Sequence, residues 1–405
     1  QPGASQDEPL AVAHTIVPPH DFQRSLRHRA KERDFVMEQV LSAPASALNN
    51  AMSVRYVGED GVGEGPMREL LAMIAGDLFG PDSFLFTQAP NGTHATIRAY
   101  ENGNVTNDIP NERMQYMRMA GRLLGLSVTQ RQPFGVNLCT GIVKVLLGRS
   151  KNVDWRDLRS YDTQLYNTME AIAKAETQED LETVAPGITF VCSGMRTDKT
   201  EIEGKKDAEP GAVNVTDVPL IEGGENVAVT HKNRLKFVRL YAKKRMFGTV
   251  QNEIESLAKG FQEILPLQLS RCLSVGELSA LFRGPEKLDI ADLKANIVYS
   301  DGYHSTSAVI RWFWEIVGEM SFEEQRRLLM FWSGCPIPPL HGFSPKLNSN
   351  GEAWAIQKMK AAPTSLPMAS TCMYLLRLPP YPNKNTLKER LELALRFGTH
   401  GYDQA

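Results

Sequence analysis

The sequence LPMASTCMYLLRLPPY, residues 366–381, is the most specific pattern in the chain. It places Cys372 where a proline-bearing loop, PTSLP at 363–367, passes into the strand-like YLLRL at 374–378. A thiol at a loop-to-strand junction is more accessible than one inside a helix, and accessible thiolates are the reactive ones. The residues alone leave two readings open: a nucleophile, or a small buried hydrophobe of the kind most free cysteines are.

The other four cysteines, at 139, 192, 272 and 335, are widely spaced and form no Cys-x-x-Cys pair. Zinc and redox couples are therefore not expected, and reduced thiols fit a cytoplasmic or nuclear setting. A cysteine protease would need a histidine base. His304, His341 and His400 share the C-terminal third with Cys372, but none sits in a local protease signature, and each reads equally as a surface residue.

A chain of 405 residues exceeds what one hydrophobic core usually supports, so two or three packed units are expected. With 45 basic and 47 acidic side chains the formal charge is -2, which offers no global attraction to nucleic acid. No apolar run reaches the roughly 18 to 20 residues that span a bilayer, and no secretion signal opens the chain. Nucleic-acid binding and membrane insertion are not expected, and nothing calls for a metal or a cofactor.

Beyond Cys372 a helical pattern carries Leu387, Leu391, Ala394 and Leu395 on one face, with Gly398 as its C-cap. Residues 354–356 read as a strand. Ser321 followed by Glu324 is a capping box opening a helix, and AVIRWFWEIVGEM (308–320) is a strongly apolar one. Gly284, Pro285 and Glu286 break the helical texture and are hinge candidates. Upstream, Ile254, Leu257, Phe261 and Ile264 keep one helix face apolar. Between 154 and 245 lie a helix with Leu165, Met169 and Ile172 in register, a strand-like GITFVC (187–192) and a polar loop at 196–218. Phe237 and Tyr241 occupy one side of a further helix, where a core and a partner groove are both possible uses. Val54 to Val57 reads as a strand, and the loop GEDGVGEGP (58–66) carries too many carboxylates to cradle phosphate. Residues 21–41 read as a charged helix and 1–20 as an N-terminal extension.

The ordered motifs together resemble a HECT-type ubiquitin-protein ligase catalytic domain. LPMASTCMYLLRLPPY is similar to the family's pattern of Leu-Pro, Thr371-Cys372 and Leu-Pro-x-Tyr. VRYVGEDGVGEGPMREL, MRMAGRLLGLSV, GITF, VTHKNRLKFVRLY, DIADLKANIVYSDGY, WFWEIV and LMFWSGCPIPPLHGF follow in the family's order. The resemblance implies an α+β, bilobal fold. A large, mostly helical N-lobe would span 21–283, with an inserted small subdomain (about 154–245) that binds a ubiquitin-conjugating enzyme. A hinge at 284–287 and a C-lobe at 288–405 carrying the cysteine would follow. It implies that Cys372 accepts ubiquitin as a thioester and passes it to a lysine of a protein substrate. Phe237 falls on the family's conjugating-enzyme contact, and Leu165, Met169, Ile172 and Ile188 fall along the same groove. Glu59 and Glu69 match acidic positions facing the C-lobe, and Tyr402 matches an aromatic used in ubiquitin transfer. Glu59, Glu69 or Asp403 would assist the attacking lysine. The chain departs from the family in having Ser370 where many members have histidine, Gly63 where many have aspartate, and Met373-Tyr374 where Phe-Asn is common.

Overall fold

The computed structural model describes residues 11–15, 40–49, 53–57, 64–80, 83–99, 109–196, 215–345 and 353–398. The expected charged helix before residue 40, most of the acidic loop at 58–66 and most of the polar loop at 196–218 lie outside them. Helices predominate, joined by small sheets. The chain divides into two compact units, one made of 1–76, 126–135 and 280–405, the other of 77–125 and 136–279.

Taking the elements in chain order, the argument needs strands β1 (Ala11–Thr15) and β2 (Ser53–Val57) and helices α1 (Glu64–Phe79) and α2 (Ile109–Thr129). Next come α3 (Thr163–Lys174), β3 (Val191–Arg196), β4 (Val215–Pro219), α4 (Arg234–Phe247), α5 (Gln251–Ile264) and α6 (Val275–Arg283). The C-terminal third holds α7 (Ile290–Asn296), β5 (Val298–Ser300), α8 (Ala308–Glu319), α9 (Phe322–Ser333), β6 (Ala355–Lys358), β7 (Met368–Ser370), β8 (Leu375–Leu378) and α10 (Lys384–Gly398).

In the first unit β1 pairs in parallel with β2, and a four-stranded sheet runs in the order β5-β6-β8-β7. β6 lies parallel to both β5 and β8, whereas β7 returns antiparallel to β8. Strand alternation sends Ile356, Leu376 and Leu378 to the inner face, all at 0% exposure. There they meet Phe313 of α8, Leu328 and Trp332 of α9, Trp354 just before β6, and Leu387, Leu391 and Leu395 from α10. The periodicities expected for α8 and α10 are thus the ones the core uses. The capping box at Ser321 is present in full: the Ser321 hydroxyl accepts from the Glu324 amide while the Glu324 carboxylate accepts from the Ser321 amide. Asp292 of α7 accepts from the Phe343 amide at 2.8 Å, tying the DIADLKAN motif to the LHGF turn.

Gly284 ends α6 with φ of +71° and donates its amide to Ala280 O at 2.8 Å, a helix stop of the left-handed kind. A Cβ here would run into Ile337 and Pro133, so glycine is required twice over. Arg283 and Glu286 form an exposed ion pair at 3.1 Å across this turn. The expected hinge is therefore a packed, capped turn.

In the second unit α2 and α5 pack closely through glycines. A Cβ at Gly121 would strike Leu257 O, and one at Gly260 would strike Arg118 O. The crossing is clamped by Glu263, which accepts from Arg118 and, at 2.6 Å, from Arg122. Burial pushes the Glu263 carboxyl up, but the hydrogen bonds from Arg118 and Arg122 outweigh it and hold the group below the usual carboxylate value of 4.5. The expected apolar face of α5 is buried throughout: Ile254, Leu257, Phe261 and Ile264 are each 2% exposed or less.

Candidate active site

Cys372 lies in a single 3-10 turn, Thr371–Met373, between β7 and β8, and it is half-buried. The turn exists because the antiparallel pairing of β7 with β8 must reverse the chain within four residues. Tyr374 completes the reversal in the left-handed region, with φ of +48°. Asparagine tolerates that conformation best after glycine, which gives a physical sense to the common Asn at this position. Here Tyr374 adopts it, and its surroundings hold it there. Its ring stacks on Trp354 at 4.9 Å, its carbonyl accepts from Trp332 Nε1 at 2.7 Å, and the Arg68 guanidinium sits 4.4 Å over the ring.

Arg68 comes from α1 and is buried. Its terminal nitrogen donates to Thr371 O at 2.9 Å, and its Nε donates to Ser333 O at 3.2 Å. Thr371 O belongs to the peptide immediately preceding Cys372, so the guanidinium fixes the plane of the peptide that carries the thiol. Thr371 is itself buried, and what it offers the site is this backbone oxygen. Glu69, the next residue of α1, is half-buried. Glu59, Tyr402 and Asp403 lie outside the described residues.

On the other side of the turn, Arg377 donates to Ser370 Oγ at 2.8 Å and through Nε to Gln357 Oε1 at 2.8 Å. Gln357 in turn donates to the Asp301 carboxylate. A chain of polar side chains thus crosses the outer face of the sheet and ends two residues before Cys372, at the position where a histidine is common. Tyr381 of the Leu-Pro-x-Tyr motif donates to Ser365 O at 2.8 Å and so pins the PTSLP loop. Around the thiol, Met373, Met368 and Leu366 are exposed.

The remaining cysteines stand in different surroundings. Cys139, Cys192 and Cys335 are buried, and burial pushes each thiol up, Cys139 to about 12. Such thiols stay protonated and unreactive. Cys272 is exposed, near the end of a short helix. His304 is exposed and spends its amide on the Ser307 hydroxyl, and His341 lies in a turn. Among the described residues no cluster of His, Cys, Asp and Glu could hold a metal ion, and no helix is long and apolar enough to cross a membrane.

The groove expected around Phe237 has a different character from the one anticipated. Phe237 is 3% exposed, with its ring edge-on to Phe190 at 5.6 Å and tilted against Tyr241 at 5.6 Å. Met169 and Ile172 of α3 are also buried. Of the five expected contacts, Leu165 and Ile188 are half-buried, and these two retain surface for a partner. The exposed apolar side chain of α4 is Leu235, at 56%. Phe237, for which a core and a partner groove were both possible uses, is packed as a core residue against Phe190 and Tyr241, and Leu235 lies on the opposite side of α4.

A HECT-domain (ubiquitin-transferase) family profile matches residues 72–405, and so takes in the cysteine turn and the α3–α4 face alike. The chain belongs to the HECT ubiquitin-transferase family. Its curated relatives include the E3 ubiquitin-protein ligase HACE1 of Bos taurus and of Homo sapiens, each 31% identical over 369 residues, 91% of this chain. The E3 ubiquitin-protein ligase UPL1 of Arabidopsis thaliana is 29% identical over 357 residues, 88% of the chain. This HECT chain spans 38% of the length of those HACE1 proteins and 9% of UPL1. The profile begins at residue 72, so Arg68 and Glu69 lie just before the matched segment.

Within GPMREL the sequence singles out Glu69 and carries no signal for its neighbour Arg68. The Arg68–Thr371 bond joins residues 303 apart, and no local pattern announces such a pairing. Arg377, Gln357 and Asp301 were missed for the same reason, although strand alternation places Gln357 and Arg377 on one face once the register is known.

Proposed function

We propose that this chain is a ubiquitin-protein ligase catalytic domain that takes ubiquitin from a ubiquitin-conjugating enzyme onto Cys372 and passes it to a lysine of a protein substrate. The observation that carries this reading is the setting of Cys372. It is a half-buried thiol in a turn tied down on both sides, in a chain whose other described thiols are buried, save Cys272.

In the first step the Cys372 thiolate attacks the carbonyl carbon of the donor thioester. A new C–S bond forms, the old one breaks, and the conjugating enzyme leaves as its own thiolate. The exchange is close to isoenergetic, so positioning supplies most of what is needed. In the second step a lysine amine attacks the Cys372 thioester, a C–N bond replaces the C–S bond, and Cys372 departs as a thiolate. The proton lost by the amine needs an acceptor, and Glu59, Glu69 and Asp403 are the carboxylates assigned to that role. Tyr402 is assigned to ubiquitin transfer. The conjugating enzyme would dock on α3 and α4 through Leu165, Ile188 and Leu235, with Met169, Ile172 and Phe237 packed in the core that holds those helices. The bilobal organisation, with rotation about 284–287, belongs to the same proposal, and the rotation would have to unseat Gly284 from Ile337 and Pro133.

Incubation with a ubiquitin-loaded conjugating enzyme tests the reading. Wild-type protein should acquire an adduct that thiol reductant removes, and Cys372→Ala should acquire none. Release of free ubiquitin from conjugates would favour the protease alternative. Binding of the conjugating enzyme without any adduct would favour an inactive scaffold.

A further inference from the structure

We infer that Arg68 is a positioning residue for the second half of the reaction, fixing the Cys372 turn to α1 so that the thioester faces the acceptor lysine. The inference rests on Cys372 being the thioester carrier and goes beyond it in assigning a part to a residue outside the family-matched segment.

Arg68 is anchored at both ends. Its own carbonyl accepts from Gln132 Nε2 at 2.9 Å, which fixes the backbone of α1 at that point. Its guanidinium then spans two carbonyls from separate elements, Ser333 O at the end of α9 and Thr371 O in the cysteine turn. The same guanidinium covers the ring of Tyr374, the left-handed residue on which the turn depends. A planar fork with several donors can make two carbonyl bonds and a ring contact at once, whereas a lysine ammonium cannot reproduce that geometry. The bond to Thr371 O restrains rotation of the peptide plane next to Cys372, and hence the direction in which the Sγ–acyl bond leaves the turn.

The two half-reactions depend on that restraint to different degrees. Charging brings in a thioester held on a docked enzyme, which supplies its own alignment, and needs from Cys372 mainly an accessible sulfur. Lysine attack takes place on the acyl group already attached to Cys372. It needs the carbonyl presented at a fixed angle while a carboxylate waits for the proton. Arg68 holds the turn to the helix whose next residue is Glu69, so the acyl carrier and a candidate proton acceptor share one anchor.

Single-turnover assays of wild type, Arg68→Gln and Arg68→Lys should separate the steps, with charging by the loaded conjugating enzyme and discharge to free lysine timed independently. For Arg68→Gln, discharge should slow tenfold or more at saturating lysine with little change in the lysine concentration giving half the maximal rate, while charging slows less than threefold. Arg68→Lys keeps the charge and loses the fork, so it should recover only part of the discharge rate. Wild-type discharge in either variant, or an equal slowing of both steps, would overturn the inference. Failure of the wild-type protein to charge would instead overturn the thioester reading. Thermal melting accompanies each variant. If Arg68→Gln does not fold, Arg68→Lys decides, and a lysine variant that folds and discharges at the wild-type rate refutes the role of the fork.

Discussion

The turn holding Cys372 and the face built on Phe237 were both singled out by the same kind of motif, yet the structure treats their key residues in opposite ways. Cys372 is left half-open on a turn whose neighbours, Thr371 and Tyr374, are buried and bonded. Phe237 is closed over by Phe190 and Tyr241, whereas Leu165 and Ile188 are half-buried and Leu235, on the other side of α4, is exposed. A reactive group has to meet its partner directly, so its support comes from adjacent residues. A large aromatic contributes most when desolvated, so it can shape a surface from beneath without being on it.

The largest effect that would sharpen this contrast is at the thiols. Cys372→Ala should lose all charging with little change in melting temperature, whereas Cys272→Ala, which removes the other accessible thiol, should charge at the wild-type rate. Cys335→Ala should charge as well, and any loss of stability there reports packing. Charging that survives in Cys372→Ala but not in Cys272→Ala would invert the assignment.

At the second region, Phe237→Ala should destabilise the protein by about 3 kcal/mol, since it empties a closed aromatic site. In a unit of this size that corresponds to a fall of roughly 6 to 12 °C in melting temperature. Leu235→Ala should leave stability within about 0.5 kcal/mol, as exposed substitutions usually do, while weakening conjugating-enzyme binding in a titration. Equal melting temperatures for the two variants would mean that Phe237 is not held as a core residue by Phe190 and Tyr241.

Much of this was legible in the sequence, and the division between what was and what was not follows from range. The apolar faces of α5, α8 and α10 and the capping box at Ser321 are encoded within one or two turns and emerged as read. Cys372 stood out because its loop-to-strand setting is local. The sheet order β5-β6-β8-β7 depends on pairings such as Val298 with Ala355, far apart in the chain, and the burial of Phe237 depends on the distant Phe190. Arg68 lay in a quoted motif, but its partner carbonyls are backbone atoms and carry no side-chain signature. Gly284 was read as a hinge candidate from the local break in helical texture, and its contacts with Ile337 and Pro133 are likewise nonlocal.

Gly284→Ala should therefore cost about 1 to 3 kcal/mol, from the left-handed backbone and the crowding together, with denaturant unfolding as the readout. An unperturbed midpoint would show that the turn is loose after all. A smaller effect belongs to the α2–α5 clamp. The Glu263 carboxyl titrates below its usual value of 4.5 in the folded protein, so its stabilisation is complete above that value and is lost as pH falls through the lower folded one. Glu263→Gln should flatten the acid limb of the melting temperature against pH, and identical acid limbs would assign the loss to other carboxylates.

The most direct measurement traps the intermediate and reads its position. Cys372→Ser, offered a ubiquitin-loaded conjugating enzyme, should form an oxygen ester that survives thiol reductant, because the hydroxyl is a poorer nucleophile whose ester is a poorer acyl donor. Proteolysis and mass spectrometry should then find the ubiquitin remnant on residue 372. A remnant confined to lysines, or a reductant-sensitive adduct at Cys272 in the same variant, would contradict the account.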